Sequence, residues 1–172
     1  MDPFATLDIE PRFDLDLKSV EGRHLDLSRA LHPDRFVGRP ASERRLALSK
    51  AIEVNEAWRA VRDPIRRAEA LLGRMGIETG ETSSAKADPE LLMEMMEQRE
   101  ALAETRMERD PARLATLTAA MEEREEKVLG ALNQALATTD PGAARDALPH
   151  LAELRFVRRF LEEASAVEDE LL

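Results

Sequence analysis

His32-Pro33-Asp34 sets an imidazole two residues from a carboxylate, with a proline ring fixing the backbone between them. Such a pair could act as a general base and its orienting partner, but the stretch offers no nucleophile for a base to activate. A plainer role is a helix stop followed by a turn, which accounts for Pro33 and for Asp34 but leaves His32 unexplained. The only other imidazoles are His24 and His150, and the chain has no cysteine. Disulfides, thiolate zinc sites and a cluster ligated by this chain alone are therefore excluded, and no metal site or cofactor is expected. Without a glycine-rich phosphate loop, ATP hydrolysis by this chain is not expected either, and a binding protein is a better reading than an enzyme.

The composition agrees. Across 172 residues, 35% are charged and only 3% aromatic, a balance that suits an all-α protein with a core of Leu, Ala, Met and Val. The first residues lack the basic and apolar regions of a secretory signal, and no apolar run approaches the about 18 residues of a membrane span. A soluble, cytoplasmic protein is expected, with no membrane partner. The net charge of −10 argues against nucleic acid as a partner, since phosphate binding needs a basic face. That charge is uneven: residues 1–75 hold 14 Lys/Arg and 13 Asp/Glu, whereas 76–172 hold 11 and 22. The two halves look built for different partners.

The elements that must position the tripeptide are set out by Asp-Pro dipeptides at Asp63-Pro64, Asp88-Pro89, Asp110-Pro111 and Asp140-Pro141. Asp accepts hydrogen bonds from free helix N–H groups, and proline at the next position loses none, so each dipeptide predicts a helix start. Val20, His24, Leu27 and Leu31 recur at helical spacing over 17–31, ending at Pro33 and the Gly38-Arg39-Pro40 loop. A second helix is predicted from Ser42, as N-cap, to Arg62, with Ala47, Ala51, Val54, Trp58 and Val61 as its stripe. A shorter helix follows, from Pro64 to about Met75. Two long helices around a polar loop read as an antiparallel hairpin with short flanking helices. Residues 77–88, within a run of small polar residues, form the expected linker between domains 1–76 and 89–172. The second domain reads as a three-helix bundle, over about 89–106, 111–137 and 141–170, with Pro149 either kinking or delaying the last helix.

A His-Pro-Asp in the loop of a helical hairpin resembles the signature of J-domains, modules that bind DnaK-class chaperones and stimulate their ATPase. The resemblance makes Lys18, Arg23, Arg29 and Arg35, with His32, Pro33 and Asp34, the expected chaperone-binding set, facing an acidic surface. It narrows further along the chain. Asn55-Glu56-Ala57-Trp58, Pro64, Arg67 through Leu72 and Gly76 resemble HscB proteins, the J-type co-chaperones of iron–sulfur cluster assembly. Leu92 through Glu100 resembles the HscB segment that contacts the scaffold protein, and Leu154-Arg155-Phe156 its counterpart on the last helix. Ala70 and Met96 depart from the family, which commonly has an aromatic and Leu there. The resemblance implies two partners, an HscA-type chaperone and an IscU-type scaffold. The alternative is a J-domain adaptor for a different client, with the bundle as a general interaction or dimerisation module.

Periodicity supplies its own view of the second half. At about 100° per residue, Leu91, Met95 and Leu102 form a core stripe, while Met93, Met96, Glu97, Glu100 and Glu104 cluster opposite, with Leu92 at the margin. This looks like an apolar patch with an acidic rim. On the last helix Phe156 lies about 200° from Leu154 and is expected to face outward beside it. The alternative is that both faces are buried, one in the bundle and the other against the first domain.

Overall fold

The computed structural model describes residues 1–80 and 89–171, and the chain forms two compact units, Met1–Ile77 and Glu78–Leu172. No strand occurs among the described residues. The expected linker falls mostly outside them, as does the Asp88 cap. Ile77, placed in the linker by the sequence reading, is buried in the first unit.

The first unit contains α1 (Pro3–Leu7), α2 (Leu17–Ala30), a 3-10 turn (Pro33–Phe36), α3 (Ala41–Arg62) and α4 (Pro64–Arg74). The α2–α3 pair is the expected hairpin. α1 is a short helix flanking the hairpin whose position was not specified from the sequence, although Asp2-Pro3 is a further Asp-Pro start, with the Asp2 carboxylate accepting from the N–H of Phe4 at 3.1 Å. The short segment contributes Phe4 and Leu7, both fully buried, to the core of Val54, Ala57, Val61, Ala68, Leu71 and Leu72. Asp2 also pairs with Arg74, tying α1 to the end of α4. Ser42 is not the cap of α3. The helix begins one residue earlier behind Pro40, with no side-chain cap bond, and Ser42 lies inside its first turn.

Two polar fixtures hold this unit together. His24 on α2 stacks on Trp58 of α3 with ring centroids 5.5 Å apart, and its Nε2 lies 2.9 Å from Asn55 Oδ1. The Asn55–Trp58 segment thus clamps the hairpin. Arg67 on α4 is buried, donates to the Val61 carbonyl at 2.8 Å and lies 4.8 Å over the Phe13 ring. Burial pushes its pKa down, opposed by Asp63 and Asp14. The guanidinium is weakly enough hydrated to serve as a buried hydrogen-bonding plug, with a ring face supplying a cation–π contact.

The second unit contains α5 (Pro89–Glu108), α6 (Pro111–Ala135), α7 (Pro141–Ala144) and α8 (Ala147–Leu171). Asp110 and Asp140 cap α6 and α7 as the dipeptides predict, Asp110 accepting from Ala112 and Arg113 at 3.0 Å. The expected last helix is divided: Pro141 starts one short turn, and α8 begins at Ala147, leaving Pro149 in its first turn, where a missing N–H costs no intrahelical bond. α6 and α8 form the main pair. α5 is set against both but gives only Leu102 and Thr105 to the interior.

Candidate functional site

The tripeptide stands at the tip of the α2–α3 hairpin, in the 3-10 turn that follows α2. The side chains of His32 and Asp34 are 60% and 85% exposed, so neither belongs to a core. Local bonds nevertheless fix the corner. His32 is the N-cap of the turn, its Nδ1 accepting from the N–H of Asp34 at 3.3 Å, and the carboxylate of Asp34 lies 3.5 Å from the same nitrogen. The N–H of Arg35 donates to the His32 carbonyl at 3.0 Å. Pro33 sets the first position of the turn, and Gly38 takes the left-handed conformation (φ 80°) needed to bring the chain back to α3. Beneath the tip, Leu31 and Phe36 pack beside Ala47 and line two shallow apolar depressions, one bordered by Leu46 and the other by Leu48. No catalytic geometry arises, since the pair has no third group to act upon. The corner is exposed and braced by the bonds of its own turn.

The structure divides the expected basic set. Lys18 and Arg29 fall within about 20° of one another on α2, on the side away from Val20, with half-exposed Leu25 between them. Arg35 is exposed beside the tripeptide. Arg23 lies on the flank and is engaged within the unit: it pairs with Asp8 and donates to the Leu7 carbonyl at 3.3 Å, holding α2 to α1. Sequence reasoning missed Leu25, for which an apolar residue on the same helix face as basic ones seven positions before and four after was the available signal.

On α5, Leu92, Met93, Met96, Glu97, Glu100 and Glu104 are exposed, while Leu91 and Met95 are half-buried and Leu102 buried, as periodicity predicts. Glu104 is not a free rim charge, because Arg113 of α6 holds it at 2.8 Å. Phe156 requires a correction. It is 7% exposed and belongs to a cluster with Leu102, Leu114, Met121, Val157 and Phe160. α8 is packed by α6 along one arc and by α5 along another, so side chains about 200° apart are both covered, inside this one unit. Phe156 still reaches the floor of a depression of about 390 Å³ between α5 and α8, which Leu92, Met95 and Met96 line from the α5 side. Arg99, Arg155 and Arg159 stand in the same wall, so the rim is mixed where the sequence reading had only acid.

Ion pairs supply what the thin interior of α5 lacks. Arg124 of α6 grips Glu94 with two bonds, 2.6 and 2.9 Å, and Glu153 of α8 with a third at 2.7 Å. The Arg124 hydrogen bond holds the Glu94 carboxyl below the ordinary glutamate range. A carboxyl lowered in the folded state adds stability that is complete above the unfolded value and is lost as pH falls through the folded one. Acidification below the ordinary glutamate range should therefore loosen α5, and Glu94→Gln should flatten that part of the acid-unfolding curve followed by circular dichroism. An identical curve for the variant would show that the pair does not hold the helix.

Comparisons with known proteins cover the whole chain. Residues 87–165 match the family described as the HSCB C-terminal oligomerisation domain. Over its whole length the chain is 33% identical to a co-chaperone protein HscB homolog of Shewanella baltica, covering 99% of that protein. Among solved structures, chaperone HscB from Vibrio cholerae matches with a TM-score of 0.86 and 32% identity, each chain covered completely. Human co-chaperone protein HscB matches in fold with a TM-score of 0.87 at 24% identity, over 98% of this chain and 82% of that one.

Proposed function

The chain belongs to the HscB co-chaperone family, and on that premise we propose that it stimulates ATP hydrolysis by a DnaK-class, HscA-type chaperone while delivering to it an IscU-type iron–sulfur scaffold. The observation that carries this reading is the exposed, locally braced His32-Pro33-Asp34 corner at a hairpin tip, in a chain whose other unit presents a second apolar face. Lys18, Arg29 and Arg35 steer the tip toward an acidic chaperone surface, where like charge on a wrong partner would be rejected. Leu92, Met93 and Met96 supply apolar contact to the scaffold, and methionine suits a surface that must accommodate variation in shape. Glu97 and Glu100 orient it.

The chain works by contact and not by chemistry. It offers a cluster no thiolate, and its contribution to ATP hydrolysis is to bias the chaperone. Because the two faces are joined by one polypeptide, a scaffold bound to the second unit is confined near a chaperone bound to the first, which raises its effective concentration without a new contact. A cytoplasmic location goes with this role.

The test is steady-state ATP turnover by an HscA-type chaperone. The chain alone should raise the basal rate several-fold, and chain plus scaffold should exceed the product of their separate effects. A basal rate unmoved by the chain would overturn the chaperone assignment. Merely independent effects would overturn the delivery role. A second reading, self-association through the bundle, draws support from the description of the matched domain. The acidic outward line of α5 weighs against it.

A further inference from the structure

The outward face of α5 does not end at Glu104. Met93, Met96, Glu100, Ala103 and Met107 follow one another at spacings of three and four residues, which keeps them on one narrow line along the helix. Met107, at 85%, is the most exposed large apolar side chain among the described residues, ahead of Val37 and Met96. Beside this line the groove between α5 and α8 continues. Past the Arg99–Glu163 pair (2.9 Å), which borders both depressions, a second one of about 740 Å³ opens, lined by Leu102, Ala103, Met107, Ala166 and Val167. Arg106 and Glu170 stand in its wall, joined by two bonds of 2.8 Å.

From this continuity we propose that the scaffold held at Leu92 and Met96 extends along the groove into the second depression, with Met107 as its far anchor. The inference rests on the reading of α5 as the scaffold face. It gives the partner a definite form: two apolar points about 16 Å apart, the axial distance over 11 residues of helix, with basic side chains alongside. The basic character follows from charge. Both Arg of α5 pair with Glu of α8, and Glu94, Glu104 and Glu108 pair with Arg of α6, which leaves Glu97 and Glu100 as the acid of the outward face. A second copy of this chain on the same line would bring Glu97 and Glu100 together with their own equivalents. A basic partner meets the same side chains with attraction.

The test uses the full chain and a purified IscU-type scaffold in calorimetric titration, with Met107→Glu, Met107→Leu and Met96→Glu beside the parent. Met107→Glu should weaken binding about tenfold and Met107→Leu should leave it near parental, as expected of an apolar anchor. Unchanged melting temperatures would assign the loss to the contact. Parental affinity in Met107→Glu together with weak binding in Met96→Glu would overturn the extended footprint and leave the scaffold face standing. Parental affinity in both would remove the scaffold face itself. Sedimentation showing a dimer that Met107→Glu dissociates would identify the occupant as a second copy and overturn the proposal.

Discussion

Replacing His32 by Gln is expected to abolish stimulation of the chaperone ATPase, lowering it by at least about tenfold, while scaffold affinity and melting temperature stay at parental values. The separation follows from the position of the residue. His32 is mostly exposed and is braced by the turn it caps. The Pro33 ring and the Arg35 N–H bond to the residue-32 carbonyl do not involve the imidazole, so the turn survives. What is lost is an aromatic, titratable ring at the tip, next to the carboxylate 3.5 Å away. Removing one member of a small, preorganised recognition element costs far more than its contact area implies, because such elements carry most of the interface energy. Turnover assays with parent and variant decide the matter, and stimulation that survives the change would locate chaperone engagement elsewhere on the molecule.

The double change Leu92→Ala, Met96→Ala should weaken scaffold binding by about 100-fold, equivalent to about 2.7 kcal/mol, with basal ATPase stimulation retained. Both side chains are exposed and line the α5–α8 depression, so truncation removes apolar contact without opening a cavity in the protein. Phe156 does not belong in this experiment. It lies in the cluster around Val157 and Phe160, and shortening a buried Phe to Ala costs about 3–5 kcal/mol of fold stability. A binding loss in that variant would report unfolding as readily as lost contact. Titration calorimetry on the double variant, read beside its melting curve, gives the answer, and parental affinity would leave the scaffold without a site on this helix.

Much of the architecture was legible because it is set by local rules. Asp63, Asp110 and Asp140 cap helices in the described structure as the Asp-Pro pattern requires, and the spacing of Val20 to Leu31 marks the first hairpin arm. Asp2-Pro3 carried the same signal and was passed over because the helix it starts is only five residues long, too short to display a period. Ser42 misled because a proline just ahead can begin a helix without any side-chain cap. The misplacement of Phe156 has a different origin. Periodicity reports which residues share a face, but the number of neighbours around a helix is a tertiary property. α8 has two, so two of its arcs are interior. Arg23 illustrates the same limit, since only the fold brings Asp8 to it. The exposed corner at His32-Pro33-Asp34 was foreseeable because a polar loop between two long helices leaves its tip in solvent.

α5 fully buries only Leu102 and Thr105, with Met95 packed partly against the same cluster, and arginine–glutamate pairs fasten it to α6 and α8. Its outward residues are thereby almost uncoupled from the folding equilibrium of the bundle. Substitutions along that line should cost little stability, and if the proposed reading of the face holds, partner choice can change on a framework that does not have to change with it.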